Sequence, residues 1–315
     1  MTVSYHDRVN DLQGTHARGP FDRAAWFALL AGAGQVPLVA SASDGGSVVD
    51  MVLTRANGRI EPLRNWYSFT WRPLGGDQRL LEQVAASLRG QSHRVTLWPV
   101  PDEDGSATRL ERAFAAAGWL VRREACDHNH VLPVAGRSFA EYWATRPGQM
   151  RTTLKRKAKK VEVTILDHFD PAAWEEYEAI YRESWKPEEG DPALLRRFAE
   201  QEGAAGRIRL GLARADGVAV AAQFWTVESG SAYIHKLAHR EDSKALSAGT
   251  TLSAALFERV IDHDRVELVD FGTGNDPYKR DWMELDRSRY RIDCLDPRQP
   301  RAWPALLKRA LGRVA

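Results

Sequence analysis

Two stretches of this 315-residue chain combine residue types suited to group-transfer chemistry. The first is Leu246-Ser247-Ala248-Gly249-Thr250-Thr251, which opens an apolar helical run and contains hydroxyls but no carboxylate. The first turn of a helix carries unpaired N–H groups at the positive end of its dipole, so such a stretch can hold a phosphate. Gly249 lets backbone approach a ligand closely. The same residues also suit an ordinary helix start, and both readings stand. The second stretch runs from Asp270 through Gly272-Thr273-Gly274 to Tyr278-Lys279. An acid at a strand end, a glycine-rich turn and a Tyr-Lys pair put titratable groups where open sheets keep their active sites. The glycines alone also suit a simple turn.

These residues must be positioned by regular elements. Ser231–Ala238 and Val266–Phe271 read as strands, with a helix from about Gly249 to Asp262 between them. A hairpin around Asp216-Gly217 joins Arg207–Arg214 to Val218–Val227, and Tyr290–Leu295 reads as a last strand before a basic helix, Ala302–Arg313. Upstream, Ser138 and Glu141 form a capping box. Pro147 restarts the chain into a helix with Met150, Leu154, Ala158 and Val161 as its apolar stripe. Asp170-Pro171 and Asp191-Pro192 each open a helix.

The first part of the chain has a similar order. Residues 1–20 read as loosely docked. Asp22 reads as the cap of a helix bearing Trp26, Phe27, Leu29 and Leu30. Val36–Ala42 and Ser47–Thr54 flank a turn, and Asn57-Gly58 is a hairpin signal. Leu74-Gly75-Gly76-Asp77 opens a helix, Val95–Val100 reads as a buried strand, Ala107–Ala117 as a helix and Trp119–Leu132 as an extended segment. Trp66, Tyr67, Phe69 and Trp71 alternate in a way that suggests burial on both sides. Leu74-Gly75-Gly76-Asp77…Arg94-Val95 parallels Leu246-Ser247-Ala248-Gly249…Arg265-Val266, which points to a duplication with halves at 1–135 and 136–315. Asp77 would occupy the donors that Gly249 leaves open, so an anion is expected on the second half.

Composition narrows the function. Lys plus Arg number 44 and Asp plus Glu 42, so no basic face for DNA is expected. Two cysteines exclude a disulfide scaffold. Residues 1–20 lack a secretory apolar core and no apolar run reaches membrane-spanning length, so a reduced, cytoplasmic, soluble protein is expected. Cys126, His128 and His130 share one strand face at a spacing of about 6–7 Å, which favours a polar edge over a metal site. Arg151–Lys160 carries six cations and no anion. It reads as a solvated helix face, with an anionic ligand or an anionic membrane surface as the functional alternatives.

Four blocks resemble a known family. Lys236-Leu237-Ala238-His239, Leu246-Ser247-Ala248-Gly249, Asp270-Phe271-Gly272-Thr273-Gly274 and Tyr278-Lys279-Arg280-Asp281-Trp282 look like signature blocks of the GNAT acyltransferases. They are most similar to the CelD-like, cellulose-biosynthesis-type acetyltransferases, which are related to FemAB peptidyltransferases. The family usually has proline where Ala248 stands. The resemblance implies an α+β, mixed-sheet, tandem GNAT fold. It implies acetyl-CoA or another acyl-CoA on Leu246, Ser247, Ala248, Gly249, Thr250 and Thr251, with pantetheine between the two strands. It implies an N-acyltransferase in which an amine attacks the thioester directly. Under that reading Lys279 would stabilise the oxyanion, with surface pairing or phosphate binding as alternatives. Asp270 would orient or deprotonate the amine, or cap the turn. Tyr278 would assist the leaving thiolate, or pack. His235 reads more readily as a packed histidine than as a base. The acceptor amine has no sequence code. The competing readings are a FemAB-like enzyme using aminoacyl-tRNA, for which the tRNA-binding helical arm is hard to find, and a non-catalytic module in polysaccharide synthesis.

Overall fold

The computed structural model describes residues 3–12 and 17–311. It contains two compact units, Met1–His128 with Arg287–Ala315, and Asn129–Asp286. In the first unit, β1 (Ser4–His6), β2 (Leu38–Ser43), β3 (Val48–Ala56) and β4 (Arg59–Pro62) pair antiparallel in chain order. Helix α1 (Ala24–Gly32) precedes β2, and α2 (Gln78–Leu88) leads to β5 (Arg94–Val100), which runs parallel to β4 at Ile60 and Val95. Helix α3 (Ser106–Ala116) then feeds β6 (Leu120–Pro133).

The second unit repeats this plan. Helices α4 (Phe139–Ala144) and α5 (Gly148–Lys157) precede β7 (Glu162–Leu166), and α6 (Pro171–Arg182) and α7 (Pro192–Ala204) precede β8 (Ile208–Ala215). Strands β9 (Val218–Glu228) and β10 (Ser231–His239) complete an antiparallel meander. Helix α8 (Ala248–Glu258) crosses to β11 (Leu268–Thr273), which pairs parallel with β10 and antiparallel with the end of β6. The short α9 (Lys279–Trp282) leads to β12 (Leu285–Leu295) and α10 (Trp303–Leu311).

Local chemistry explains much of this. Asn57-Gly58 and Asp216-Gly217 turn their hairpins with both residues at positive φ, as two-residue loops of this type require. Asp170 and Asp191 accept hydrogen bonds from Ala173 N and Leu194 N, with proline at the first helical turn. The Ser138–Glu141 capping box is closed in both directions. Tyr142, Trp225, Phe257 and Trp282 pack as one aromatic group in the second core, with ring centroids 5.3 Å (Tyr142–Phe257), 5.2 Å (Trp225–Phe257) and 4.9 Å (Phe257–Trp282) apart. Helix α8 lies close on the sheet because β8 has a glycine beneath it. A Cβ on Gly211 would stand 2.9 Å from Leu252 Cδ1.

Several expectations change. Asp22 does not cap α1; it ends a short 3-10 turn, is buried and pairs with Arg72 at 3.4 Å, while Arg23 stands at the cap position. Tyr67, Phe69 and Trp71 are buried, but Trp66 is 70% exposed, because the segment is irregular rather than a two-sided strand. Strands β1 and β7 fall where no strand was read. Residues 1, 2 and 13–16 of the stretch read as loosely docked, and residues 312–313 of the terminal helix, lie outside the described residues. The units also divide the chain differently from a cut at 135/136. Residues 129–133 of β6 pair with β11, and residues 290–295 of β12 pair with β5. Each of these strand segments thus falls in the same unit as the strand it pairs with.

A fragment of residues 136–315 would leave β11 without its β6 neighbour and β12 without β5, exposing two strand edges. It is expected to aggregate, or to unfold without a cooperative transition, in denaturant titration followed by circular dichroism. A sharp transition at the full-length midpoint would contradict the strand assignment.

Candidate functional site

The site begins with a gap in the second sheet. Strands β10 and β11 pair over only three residues, from Ser231–Leu268 to Tyr233–Asp270. Beyond that point β10 continues to His239 against β9, with a register shift between Ile234 and Lys236. Strand β11 shifts register against β6 between Asp270 and Thr273, with Gly272 at φ +66°. Bulges bend the strands that carry them. From Ile234 onward β10 and β11 are no longer paired with each other among the described residues, which leaves a gap between the two strands.

Helix α8 starts near this gap. Ser247 precedes it at φ +55° and gives no side-chain cap. Thr250 N and Thr251 N bond to Ser247 O, whereas Ala248 N and Gly249 N have no hydrogen-bond partner among the described residues. The buried Thr251 hydroxyl has none either. Lys157, from the basic helix α5, donates to Ala245 O at 2.9 Å and Ser247 Oγ at 3.0 Å. An ammonium and free helix-start amides thus converge on one turn, the combination that attracts a phosphate. Gln223 fixes the turn by donating to Gly249 O at 3.3 Å and Ser253 Oγ at 2.7 Å. Leu246, the first residue of the expected stretch, instead packs its half-buried side chain against the apolar core.

The glycine-rich turn lies beyond the last β10–β11 pair. Asp270 is buried, and its Oδ1 accepts from Asn129 Nδ2 at 2.7 Å and Gly272 N at 2.8 Å. Asn129 Nδ2 also reaches Gly272 O at 3.1 Å. Lys279 is 5% exposed, and its ammonium donates to the carbonyls of Thr273 and Gly274. These contacts lock the turn from both sides. Tyr278 packs edge-on against Phe271 at 5.7 Å, and burial, aided by nearby Asp276, pushes its phenol well above the ordinary range. Like an ordinary phenol it is protonated at neutral pH, and the upward shift makes it a weaker acid. His235 lies elsewhere. Its Nε2 is 2.7 Å from Thr226 Oγ1 and its ring stacks on Phe224 at 4.9 Å, so it packs the β10 irregularity.

The α6–α7 loop completes the site. Trp185 stacks on His239 at 4.3 Å, and His239 Cδ2 lies 3.5 Å from the position of a Cβ on Gly249. Lys186 lies 5.1 Å above the Trp185 ring and 6.0 Å from that of Tyr278. Glu189 pairs with Lys236 at 2.8 Å. Burial lowers the pKa of both Lys186 and Lys236, against the opposing pull of Asp276 and Glu189 respectively. A continuous set of contacts thus runs from the α8 start through His239, Trp185 and Lys186 to Tyr278.

The equivalent region of the first unit is closed. Asp77 Oδ1 accepts from Leu80 N at 2.9 Å, occupying the start of α2. Strand β4 ends at Pro62, and the later segment Trp71–Leu74 takes up the vacant strand position. Trp71 N donates to Pro99 O on β5 at 2.9 Å, and Leu74 exchanges two backbone bonds of 2.8 Å with Asp50 on β3. The buried Trp71 indole adds a bond to Val52 O at 2.8 Å.

Residues 148–280 match the family model described as an acetyltransferase (GNAT) domain. The matched residues lie within the second unit. No curated protein matches the chain. Among solved structures, FemX is similar over 94% of this chain and 98% of its own, at 10% identity and TM-score 0.66. L-PGS from Bacillus licheniformis is similar over 88% and 89%, at 14% identity and TM-score 0.55. A tandem GNAT protein from the clavulanic acid biosynthesis pathway is similar over 95% and 100%, at 14% identity and TM-score 0.51. The fold is a mixed α+β GNAT fold in two halves. Among the described residues, no helix is long and apolar enough to cross a membrane.

The α8 start and the Tyr278-Lys279 turn fall within residues 148–280, while sequence reasoning overlooked Asn129, Trp185, Lys186 and Glu189 and gave Lys157 no individual role. A tryptophan and a lysine beside proline and glycine in a loop between two capped helices was the available signal. If the Lys279 ammonium holds the turn, Lys279→Met should lose about 1–2 kcal/mol of stability in urea unfolding, because two carbonyls lose their donor. Unchanged stability would show that the ammonium is free for another task.

Proposed function

We propose that the chain is an acyl-CoA-dependent N-acyltransferase, moving an acetyl or longer acyl group to an amine by direct attack on the thioester. The observation that carries this reading is the asymmetry between the units. One keeps an open strand gap beside an uncapped helix start with a lysine at hand. The other fills the gap with Trp71 and caps the helix with Asp77.

In this reading the pyrophosphate sits on Ala248 N, Gly249 N and the Ser247–Thr251 turn, with Lys157 as counter-charge. The pantetheine extends along β10 beyond its last pair with β11. Backbone N–H groups there polarise the thioester carbonyl and stabilise the oxyanion that forms on attack. Tyr278, a protonated phenol at neutral pH, gives a proton to the departing thiolate. Asp276, exposed beside Tyr278, is the carboxylate best placed to pass the amine proton to solvent. Asp270 and Lys279 act as positioning residues that hold the turn carrying Tyr278, and His235 keeps the β10 irregularity in shape.

A second reading, an aminoacyl-tRNA donor, is favoured by one feature. Arg151, Lys155, Arg156, Lys159 and Lys160 are exposed on and just after α5, the helix whose Lys157 reaches the α8 start. A polyanion could follow that row of cations.

Calorimetry separates the two. Acetyl-CoA should bind at one site, and Gly249→Asp should weaken it by more than tenfold, about 1.4 kcal/mol, by opposing phosphate with a carboxylate. A Cβ at this position makes only ordinary contact, so the variant should fold. Equal affinity in Gly249→Asp would overturn the placement. Tight tRNA binding without acetyl-CoA binding would favour the second reading.

A further inference from the structure

Five lysines in the second unit are held near the reaction site or just beside it, or face it from the α6–α7 loop, and four of them are engaged or remote. Lys157 bonds to Ala245 O and Ser247 Oγ. Lys236 pairs with Glu189. Lys279 is held by Thr273 and Gly274 carbonyls. Lys244 ends in the loop before α8, outside the contact path that leads to Tyr278. Lys186 differs. It is half-buried, and its ammonium makes no hydrogen bond or ion pair among the described residues. Aromatic faces bracket it, Trp185 toward the α8 start and Tyr278 toward the glycine-rich turn. A thioester reaching from the α8 turn along β10 toward Tyr278 would pass this amine.

We infer that Lys186 is itself an acyl acceptor, modified by the acyl-CoA bound in its own site. The inference rests on the acyl-CoA reading of that site. Supporting it, burial favours the neutral amine of Lys186, with only the pull of Asp276 opposing. The ammonium first loses a proton to solvent. Its nitrogen lone pair then attacks the thioester carbonyl carbon and the C–N bond forms. The tetrahedral adduct collapses with cleavage of the C–S bond. The thiolate takes one proton, from Tyr278 or water, and the nitrogen releases one. The products are an N-acyl-lysine and free CoA, with no change in oxidation state. Because the product is an amide, it does not pass the acyl group on. It removes a positive charge and fills space beside Tyr278, so it would restrain turnover when no amine acceptor is present.

The test uses the full chain, isotopically labelled acetyl-CoA and peptide mapping by mass spectrometry. Lys186 should gain one acetyl group at a rate at least about tenfold above the exposed Lys155, Lys159 and Lys160, as expected for a reactant held next to its partner. Lys186→Arg should abolish that modification, and Gly249→Asp should slow it by a similar factor. Labelled acetyl phosphate, which has no CoA moiety to dock, should show no such preference. Labelling of Lys186 no faster than of the exposed lysines, in protein that calorimetry shows to bind acetyl-CoA, would overturn the inference alone. Failure to bind acetyl-CoA would overturn the underlying reading and the inference with it.

Discussion

The separation of β10 from β11 after Tyr233 and Asp270 is the constraint on which the second unit's site depends. Two irregularities mark it, one at His235 in β10 and one at Phe271-Gly272 in β11. Each is held by side chains. Phe198, Phe224 and Thr226 enclose His235. Asp270, Asn129 and Lys279 pin the Gly272–Gly274 turn. Strands that stayed paired would satisfy each other's backbone groups and leave nothing for a ligand. The buried acid and the buried lysine thus matter first as clamps on backbone shape. The same turn carries Tyr278, and the helix-start amides of Ala248 and Gly249 are left without a partner among the described residues.

The first unit shows how the same plan closes. Its parallel pair is reduced to Ile60 and Val95, and Trp71–Leu74 occupies the space where β4 would continue. An aspartate at the helix start completes the closure by occupying from within the chain the kind of amide donor that α8 leaves uncapped. The cap stabilises α2 by about 1 kcal/mol. An open helix start forgoes that stability, a common cost of binding sites. The two units thus share one order of elements but differ at the helix start.

Much of this was legible in residue types. Asp77 against Gly249 distinguished the two helix starts because capping is local chemistry. The hairpins at Asn57-Gly58 and Asp216-Gly217 were legible for the same reason. The gap was not, since strand separation depends on register, and register depends on partners distant in sequence. The roles of Asp270 and Lys279 were open for a related reason. Their partners include Asn129, 141 residues from Asp270, and backbone carbonyls that leave no mark in composition. Trp66 was misread because alternation in Asn65–Trp71 resembles a strand, while the chain there is irregular. The pairing of β6 with β11 and of β12 with β5 was hidden too, because β6 and β12 read as ordinary strands whose neighbours the sequence does not name.

The most direct measurement is hydrogen–deuterium exchange of the full chain with and without acetyl-CoA. The Ala248 and Gly249 amides should slow on binding, since they have no hydrogen-bond partner among the described residues until ligand arrives. The Gln78–Leu80 amides at the start of α2 should not change. Protection at the start of α2, or none at the start of α8 while acetyl-CoA is bound, would contradict the claim that only the second unit keeps an open donor site.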